Sequence, residues 1–299
     1  MTELLYHYTT AAGFLGIVSS RSLWATSSNY LNDPSEMTYA VELVLRRAKL
    51  SADQEADLEA AANLKEVIAS LERDYSTPSS YARVRESNAY MTSFSKSDQH
   101  LMLWRNYSLK FGMCLGFDRA LLTDWIEEGR VARPDALCTE ESPEDPEVLV
   151  GLEKNIGLEA AVIDVTYGDR GKMPDLERVL AGLSGTGALA EGGKAPVVYS
   201  PFAFASVKHP SFSDEHEVRM IVRETGDFAP KPKLRVSPSH GLVPYQEISF
   251  PREALRTVTT CPGVSHEQQA AAIRAALDDG GRGAWSHVSI TETGIPFTW

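Results

Sequence analysis

Residues 4–27 read LLYHYTTAAGFLGIVSSRSLWATS, and this stretch decides the fold because its hydrophobic pattern changes twice. In LLYHYT, side chains alternate between two faces, so Leu5 and His7 share one face and Tyr8 lies on the other. The segment AAGFLGIVSS has apolar residues at helical spacing after Thr10, which we predict to be the N-cap of a helix. SLWATS is typical of a second short strand. We therefore predict that the chain opens with a strand, a helix and a strand.

His7 is a polar ring inside the first hydrophobic stretch of the chain. Two interpretations follow from its position. It is either a core histidine whose ring is satisfied by a hydrogen bond, or part of a binding or catalytic site. Strand alternation argues against placing His7 and Tyr8 in one pocket. Position in the sequence does not choose between the two interpretations.

Later segments mix strands and helices in no strict alternation, which indicates an α+β fold. AYMTSFS and GMCLGFD predict strands, and SDQHLMLWRNY predicts a short helix capped by Ser97. We predict a single domain over residues 1–299. Its parts are a helical hairpin at about 34–75, an acidic surface insertion at about 127–159, a helix over 175–190, and a C-terminal strand–helix–strand unit at about 242–292, whose helix is capped by Ser265.

Composition excludes several classes of protein. The 299 residues are 43% hydrophobic, and no apolar run approaches the roughly 20 residues of a membrane span, so we expect no membrane partner. The net charge of −12 argues against extended, non-specific nucleic-acid binding. Three scattered cysteines, Cys114, Cys138 and Cys261, fit neither a disulfide framework nor a zinc motif. We expect a cytoplasmic protein.

Several familiar motifs are missing or out of context. GTGALA at 185–190 resembles a dinucleotide fingerprint, but a predicted helix precedes it where a strand is required. His209 and His216 lack the tight spacing of metal ligands, so we predict no metal site. The positive balance of residues 83–119 suits either a phosphate-bearing ligand or a solvated surface.

The segment DEHEVR places Asp214, Glu215 and Glu217 at the start of a predicted strand. Carboxylates so close raise one another's pKa unless cations compensate. One interpretation is an ion-pair ladder with Arg219 and Arg223. The other is that Glu-x-Glu presents a carboxylate to a substrate hydroxyl or to a developing cation. Likewise, Ser93 and Ser95 of MTSFS either point at water or line a groove.

Several motifs in order resemble a bacterial family catalogued as domain of unknown function 2971 (DUF2971). They are LYHYT, LWATSSNYLNDPSE, YMTSFS, LMLWRNY, GMCLGFD, EHEVR and VSITETGIPF. More distantly, a first-strand histidine, a serine-bearing strand and a late Glu-x-Glu resemble the ADP-ribosyltransferase superfamily. Two departures are Ser-Phe-Ser in place of Ser-Thr-Ser, and His7 in place of the arginine of arginine-type members.

The resemblance implies a split, mostly antiparallel sheet with peripheral helices that clamps NAD in a cleft. It implies catalytic roles for Glu217 and His7, with Ser93 and Ser95 framing the pocket and Glu215 contacting the target. We further expect Tyr8 or Trp24 to pack on the nicotinamide, and Asn32 and Arg105 to contact the amide or the phosphates of the substrate.

The implied reaction cleaves NAD, as a substrate and not a bound cofactor, at the nicotinamide–ribose bond. ADP-ribose would pass to an unknown protein or nucleic-acid acceptor, in a bacterial toxin or defence setting. Two alternatives stay open. One is a non-catalytic module that senses a nucleotide or a protein on the same fold, and the other is a hydrolase whose carboxylates act on another glycosidic bond.

Overall fold

The structure is a computed structural model that describes residues 2–30, 36–54, 56–74, 89–129, 158–168, 205–224, 230–237, 240–279 and 285–299. The chain divides into two compact units. The first comprises Met1–Ser27, Tyr90–Ile163 and Glu215–Trp299, and the second comprises Ser28–Ala89 and Asp164–Asp214. None of the helices in the described residues has the length and apolar character needed to cross a bilayer.

The strands in the described residues are numbered in chain order. They are β1 Leu4–Thr9, β2 Ser22–Ser27, β3 Ala89–Ser95, β4 Met113–Asp118, β5 Leu158–Asp164, β6 Thr166–Tyr167, β7 Val207–Lys208, β8 Glu217–Glu224, β9 Lys233–Ser237, β10 Gly241–Ser249, β11 Leu255–Thr260 and β12 Ser289–Glu292. Ten of them form one sheet in the order β12-β11-β4-β1-β3-β2-β10-β9, with β8 paired to β3 and β5. The β11–β12 pair is parallel, whereas β1, β2, β4 and β10 pair antiparallel with their neighbours. The predicted α+β class with a mostly antiparallel sheet is confirmed.

The helices of the described residues are likewise numbered in order. They are α1 Ala11–Ser20, α2 Glu36–Gln54, α3 Leu58–Asp74, α4 Leu101–Leu103 continued as a π-helix over Trp104–Ser108, α5 Arg119–Glu127 and α6 His266–Asp279. The predicted caps of α1 and α6 are confirmed, since Gly13 N donates to Thr10 Oγ1 and Gln268 N donates to Ser265 Oγ.

The predicted cap of α4 is wrong. Ser97 Oγ accepts from the nitrogen of Gln99 and so closes a turn before the helix. The helix begins at Leu101, and its cap is His100, whose Nδ1 accepts from Leu103 N at 3.4 Å. Serine makes such short side-chain turns readily, which explains why it sits one turn early.

The two faces of the sheet differ in character. One face, which we call the core face, carries buried apolar strand residues, which include Leu5, Leu23, Phe94, Leu115, Phe117 and Val218. They pack in one cluster with Phe14 of α1, Leu122 of α5 and Ile273 of α6. Strand alternation directs the intervening side chains to the opposite face, which we call the polar face. A smaller cluster there contains Tyr8, Leu103, Trp104, Cys114 and Cys261.

The sheet splits at β3, because this strand has three partners and only two edges. Lys96 N donates to His216 O at 3.1 Å at one end of β3, and the Tyr90 hydroxyl contacts the Glu224 carboxylate at the other. Because these two contacts lie at opposite ends of β3, β8 lies antiparallel to β3 along one of its edges. Strands β1 and β2 therefore share the other edge, with Tyr6 opposite Ser95 and Thr26 opposite Met91.

The second unit contains α2, α3 and the short parallel pair β6–β7. Helices α2 and α3 lie within the range predicted for the helical hairpin, and Lys49 Nζ meets Glu72 Oε1 at 2.6 Å between them. Residues 130–157 of the predicted insertion, the predicted helix at 175–190, and Asn32 lie outside the described residues.

Candidate functional site

The split in the sheet is centred on Ser93. On the shared edge of β3, β1 pairs at Ser95 and β2 pairs at Met91, so Ser93 lies midway between the two registers. Its side chain is exposed. Counting back along β2 from Thr26 opposite Met91 brings Trp24 level with Ser93. The split is thus bordered by β1 on one side and by Trp24 on the other.

His7 reaches the split from β1 and bonds the main chain of β3. Its Nδ1 lies 3.0 Å from Ser93 O. A carbonyl oxygen only accepts, so Nδ1 carries the proton and the neutral ring presents Nε2 as an acceptor. Burial lowers the pKa of His7 from its ordinary 6.5, although the hydrogen bond to Ser93 acts in the opposite direction. The ring is half-buried, and no other described residue hydrogen-bonds it.

Strand alternation assigns His7 to the core face, where its ring packs edge-on against Phe94 with centroids 5.8 Å apart. Ser93 and Ser95 alternate with Phe94 and so belong to the polar face. The His7 ring meets β3 at its edge, through the carbonyl of Ser93. His7 is therefore a hydrogen-bonded histidine in the gap between β1 and β2.

Strand β8 brings the Glu-x-Glu motif to the other edge of β3. Counting from Lys96 opposite His216 places Phe94 beside Val218, and both belong to the same core. The same count places Ser95 beside Glu217 and Ser93 beside Arg219, on the polar face. The Ser95 hydroxyl also donates to Glu215 O at 2.8 Å.

Glu217 and Arg219 form a buried, two-pronged ion pair. Arg219 Nε donates to Glu217 Oε1 at 2.8 Å, and Arg219 Nη2 donates to Glu217 Oε2 at 2.9 Å. The two residues are 5% and 2% exposed. Such fork-to-carboxylate geometry is the strongest form of ionic hydrogen bond in proteins. The predicted ion-pair interpretation is confirmed for Glu217, whereas Arg223 pairs with Glu159 of β5.

Glu215 and Glu217 are separated by a sharp change of backbone direction. A 3-10 helix over Pro210–Glu215 precedes the motif, and His216 has φ of 44°, in the left-handed region. A side chain larger than glycine adopts this conformation at some energetic cost, and such strained residues cluster at binding sites. Glu215 is half-exposed, in contrast to buried Glu217.

Trp24 supplies an aromatic surface on the polar face of β2. The side chain is 37% exposed and stacks on Tyr245 with ring centroids 4.7 Å apart and planes inclined by 35°. Arg235 Nη2 donates to Thr26 Oγ1 at 3.2 Å close by, and burial lowers the pKa of Arg235. An exposed ring beside a cation is chemically suited to a flat heterocycle that carries phosphate.

Two other predicted substrate contacts, Tyr8 and Arg105, lie at α4. The Tyr8 hydroxyl donates to Ser97 O at 2.7 Å and accepts from His100 N at 3.2 Å, while its ring packs edge-on against Trp104. Burial is the largest of the causes that raise the pKa of Tyr8. Tyr8 thus anchors α4, and Arg105 is exposed on that helix.

The structure brings Ser93, Ser95 and Glu217 together on the polar face, with the Ser95 hydroxyl bonded to Glu215 O, whereas His7 lies at the opposite edge of β3 and belongs to the core face. Sequence reasoning missed the contribution of Tyr245 and Arg235, and gave Arg219 only as an ion-pair partner. The alternating pattern of YQEIS contained a signal for Tyr245, but its pairing with β2 spans more than half the chain.

Among the described residues, no group of three His, Cys, Asp or Glu side chains is arranged to hold a metal ion. A scan of family models, a search of curated proteins and a search of solved structures each found no match to this chain.

Proposed function

We propose that this chain is an ADP-ribosyltransferase-like enzyme that cleaves NAD at the nicotinamide–ribose bond and transfers ADP-ribose to an acceptor. The observation that carries the proposal is the convergence of three sequence motifs on one strand. His7 bonds the main chain of Ser93, and Ser95 bonds the Glu215–Glu217 motif, on opposite edges of β3. The mostly antiparallel sheet supports the proposal, because the resemblance to ADP-ribosyltransferases implies a sheet of that kind.

In this proposal His7 recognises a ribose hydroxyl. Its Nε2 is an acceptor because Nδ1 donates to Ser93 O, so the ligand must supply an O–H donor. The lowered pKa keeps the ring neutral at pH 7 and preserves that acceptor. Trp24 stands level with Ser93 and packs on the nicotinamide ring.

Glu217 stabilises the positive charge that develops on the ribose when the nicotinamide bond breaks. A fixed carboxylate helps most in the transition state, where that charge exists. Arg219 donates to both oxygens of Glu217, which fixes the carboxylate that, in this proposal, accepts from the ribose 2'-hydroxyl. Arg219 also prevents Glu217 from rotating, and a carboxylate that does not reorganise is the more effective stabiliser.

A second candidate function is supported by the burial of Glu217. At 5% exposure, and with both oxygens bonded to Arg219, its carboxylate is already neutralised and covered. If the covered carboxylate of Glu217 does not act on a substrate, then His7, Ser93 and Trp24 bind a nucleotide without a reaction, and the protein is a sensor or binding module.

The test measures nicotinamide release from NAD, together with NAD binding by calorimetry. The enzyme proposal expects release that Glu217→Gln reduces by about 100-fold or more, with binding changed much less. Glu159→Gln is the matched control, because Glu159 also pairs with an arginine but on β5. Binding without release supports the sensor. Neither binding nor release contradicts both functions, and equal losses in the two variants contradict the role of Glu217.

A further inference from the structure

The segment that follows α4 holds two large apolar side chains in solvent on a strained backbone. Leu109 has φ of 59° and ψ of −177°, a region of backbone conformation that is populated almost entirely by glycine. Phe111 has φ of 70°. Leu109 is 53% exposed and Phe111 is 55% exposed. Glycine would adopt both conformations with less strain and without exposing apolar surface. Folding of the chain therefore does not account for these two side chains.

Hydrogen bonds fix this strained backbone in place. Leu109 N donates to Trp104 O at 3.0 Å, which closes the π-helical turn. Leu109 O accepts from Gly112 N at 3.3 Å and from Cys261 Sγ at 3.5 Å. π-Helical turns and locked left-handed residues are both enriched at functional positions. The backbone geometry holds Leu109 and Phe111 outward.

The same segment is cationic within an acidic protein. Residues 101–112, LMLWRNYSLKFG, contain Arg105 and Lys110 and no acidic residue, whereas the whole chain carries −12. Arg105 and Lys110 are exposed, and Lys110 Nζ lies 5.3 Å from the centre of the Phe111 ring. Met102 adds a third exposed apolar side chain. Apolar side chains edged by cations are the composition of surfaces that lie in a membrane interface.

We propose that Met102, Arg105, Leu109, Lys110 and Phe111, here called the α4 patch, dock onto the surface of an anionic phospholipid bilayer. Leu109 and Phe111 enter the boundary between headgroups and acyl chains, and Arg105 and Lys110 meet the lipid phosphates. A bilayer needs no preformed pocket for these side chains. Nucleic acid fits less well, because Lys110 covers a face of the Phe111 ring and aliphatic side chains do not stack on bases.

The sequence-based expectation of no membrane partner rested on the lack of a spanning segment. Peripheral docking needs no span. Because the chain as a whole is strongly acidic, attraction to anionic lipid is confined to the patch. Docking therefore depends on the apolar side chains as well as on the cations, and it weakens as salt rises.

The test is flotation of the full chain with vesicles of phosphatidylcholine alone, or of phosphatidylcholine with one third phosphatidylglycerol. We expect binding to the anionic vesicles. Leu109→Gly with Phe111→Gly should reduce it by about tenfold or more. The thermal midpoint of this double variant should equal or exceed that of the unsubstituted chain, because glycine relieves the strain. A loss of binding therefore reports on the side chains, with the fold intact.

Leu234→Ala is the matched control, since Leu234 is also more than half exposed but lies on β9 with ordinary backbone angles. Lys110→Gln should lower the preference for anionic vesicles. Absence of flotation, or equal loss in the Leu234 control, overturns the proposal. A dimer in light scattering that the glycine variant abolishes, without vesicle binding, also overturns it and assigns the patch to a second copy.

Discussion

Replacing Arg219 by methionine tests the buried ion pair at the centre of the proposed site. The substitution removes two hydrogen bonds, of 2.8 and 2.9 Å, from a carboxylate that is 5% exposed. A buried charge that loses its partner destabilises a protein by about 3–5 kcal/mol, because it keeps its desolvation penalty without compensation. We expect Arg219→Met to lower the free energy of unfolding by about that amount, measured by urea denaturation.

Two further variants locate the cause of this loss. Glu217→Gln combined with Arg219→Met removes both charges, so the double variant should be more stable than Arg219→Met alone. Lys233→Met breaks the 2.8 Å pair with Glu247, in which the lysine is 59% exposed, and should lower stability by only about 0–1 kcal/mol. If Arg219→Met and Lys233→Met are equally mild, or if the double variant is the least stable, the pair does not carry the energy assigned to it.

Three other predictions follow from the structure. The pKa of His7 is lowered in the folded chain, so as the pH drops the unfolded chain binds the proton first, and the free energy of unfolding falls from about pH 6.5 down to the folded-state pKa. His7→Gln should flatten this part of the pH profile of stability measured by urea denaturation. An unchanged profile would contradict a lowered pKa for His7. A Cβ at Gly116 would lie 2.2 Å from Thr257 Oγ1, so Gly116→Ala should lower the free energy of unfolding by about 1–3 kcal/mol. A Cβ at Gly16 would meet only Trp24, at 3.6 Å, so Gly16→Ala should raise the free energy of unfolding by about 0.5–1 kcal/mol. Equal thermal midpoints for the two variants would refute both expectations. Tyr8→Phe should lose about 1–3 kcal/mol and leave NAD affinity unchanged, because the hydroxyl bonds the main chain at Ser97 and His100 and the buried thiol of Cys114. Weaker NAD binding by this variant in calorimetry would show that Tyr8 contributes to the site.

Local chemistry made the opening of the chain predictable. The Thr10 cap, the helical spacing after it, and the alternation of Leu5 with Tyr6 depend on neighbours within a few residues, and the structure has all three. Ser97 shows the limit of such reasoning. It does bond the backbone two residues later, but that bond closes a turn, and a histidine caps the helix.

The site depends on pairings between distant segments, which a single sequence does not reveal. That β1 and β2 share one edge of β3 while β8 occupies the other follows only from the three-dimensional register. The stacking of Trp24 on Tyr245 likewise joins residues at opposite ends of the chain. The Glu217–Arg219 pair could be predicted from the sequence, because alternate residues of a strand share a face, and an ion pair there was one of the two sequence-based interpretations.

The strain at Leu109 and Phe111 was invisible to sequence rules, which expect glycine or asparagine at left-handed positions. Here the backbone is held by the π-helical turn of α4 and by Cys261, which is brought in from β11's C-terminal side. Where residue type and backbone conformation disagree in this way, functional constraint is the usual reason.

The most direct test of the central claim is a crystal structure of the protein with ADP-ribose bound. Our account predicts a ribose hydroxyl within hydrogen-bonding distance of His7 Nε2, with the ligand lying along Ser93 toward the Glu217 carboxylate. ADP-ribose bound away from the split in the sheet, or a split that stays empty at saturating ligand, would contradict it.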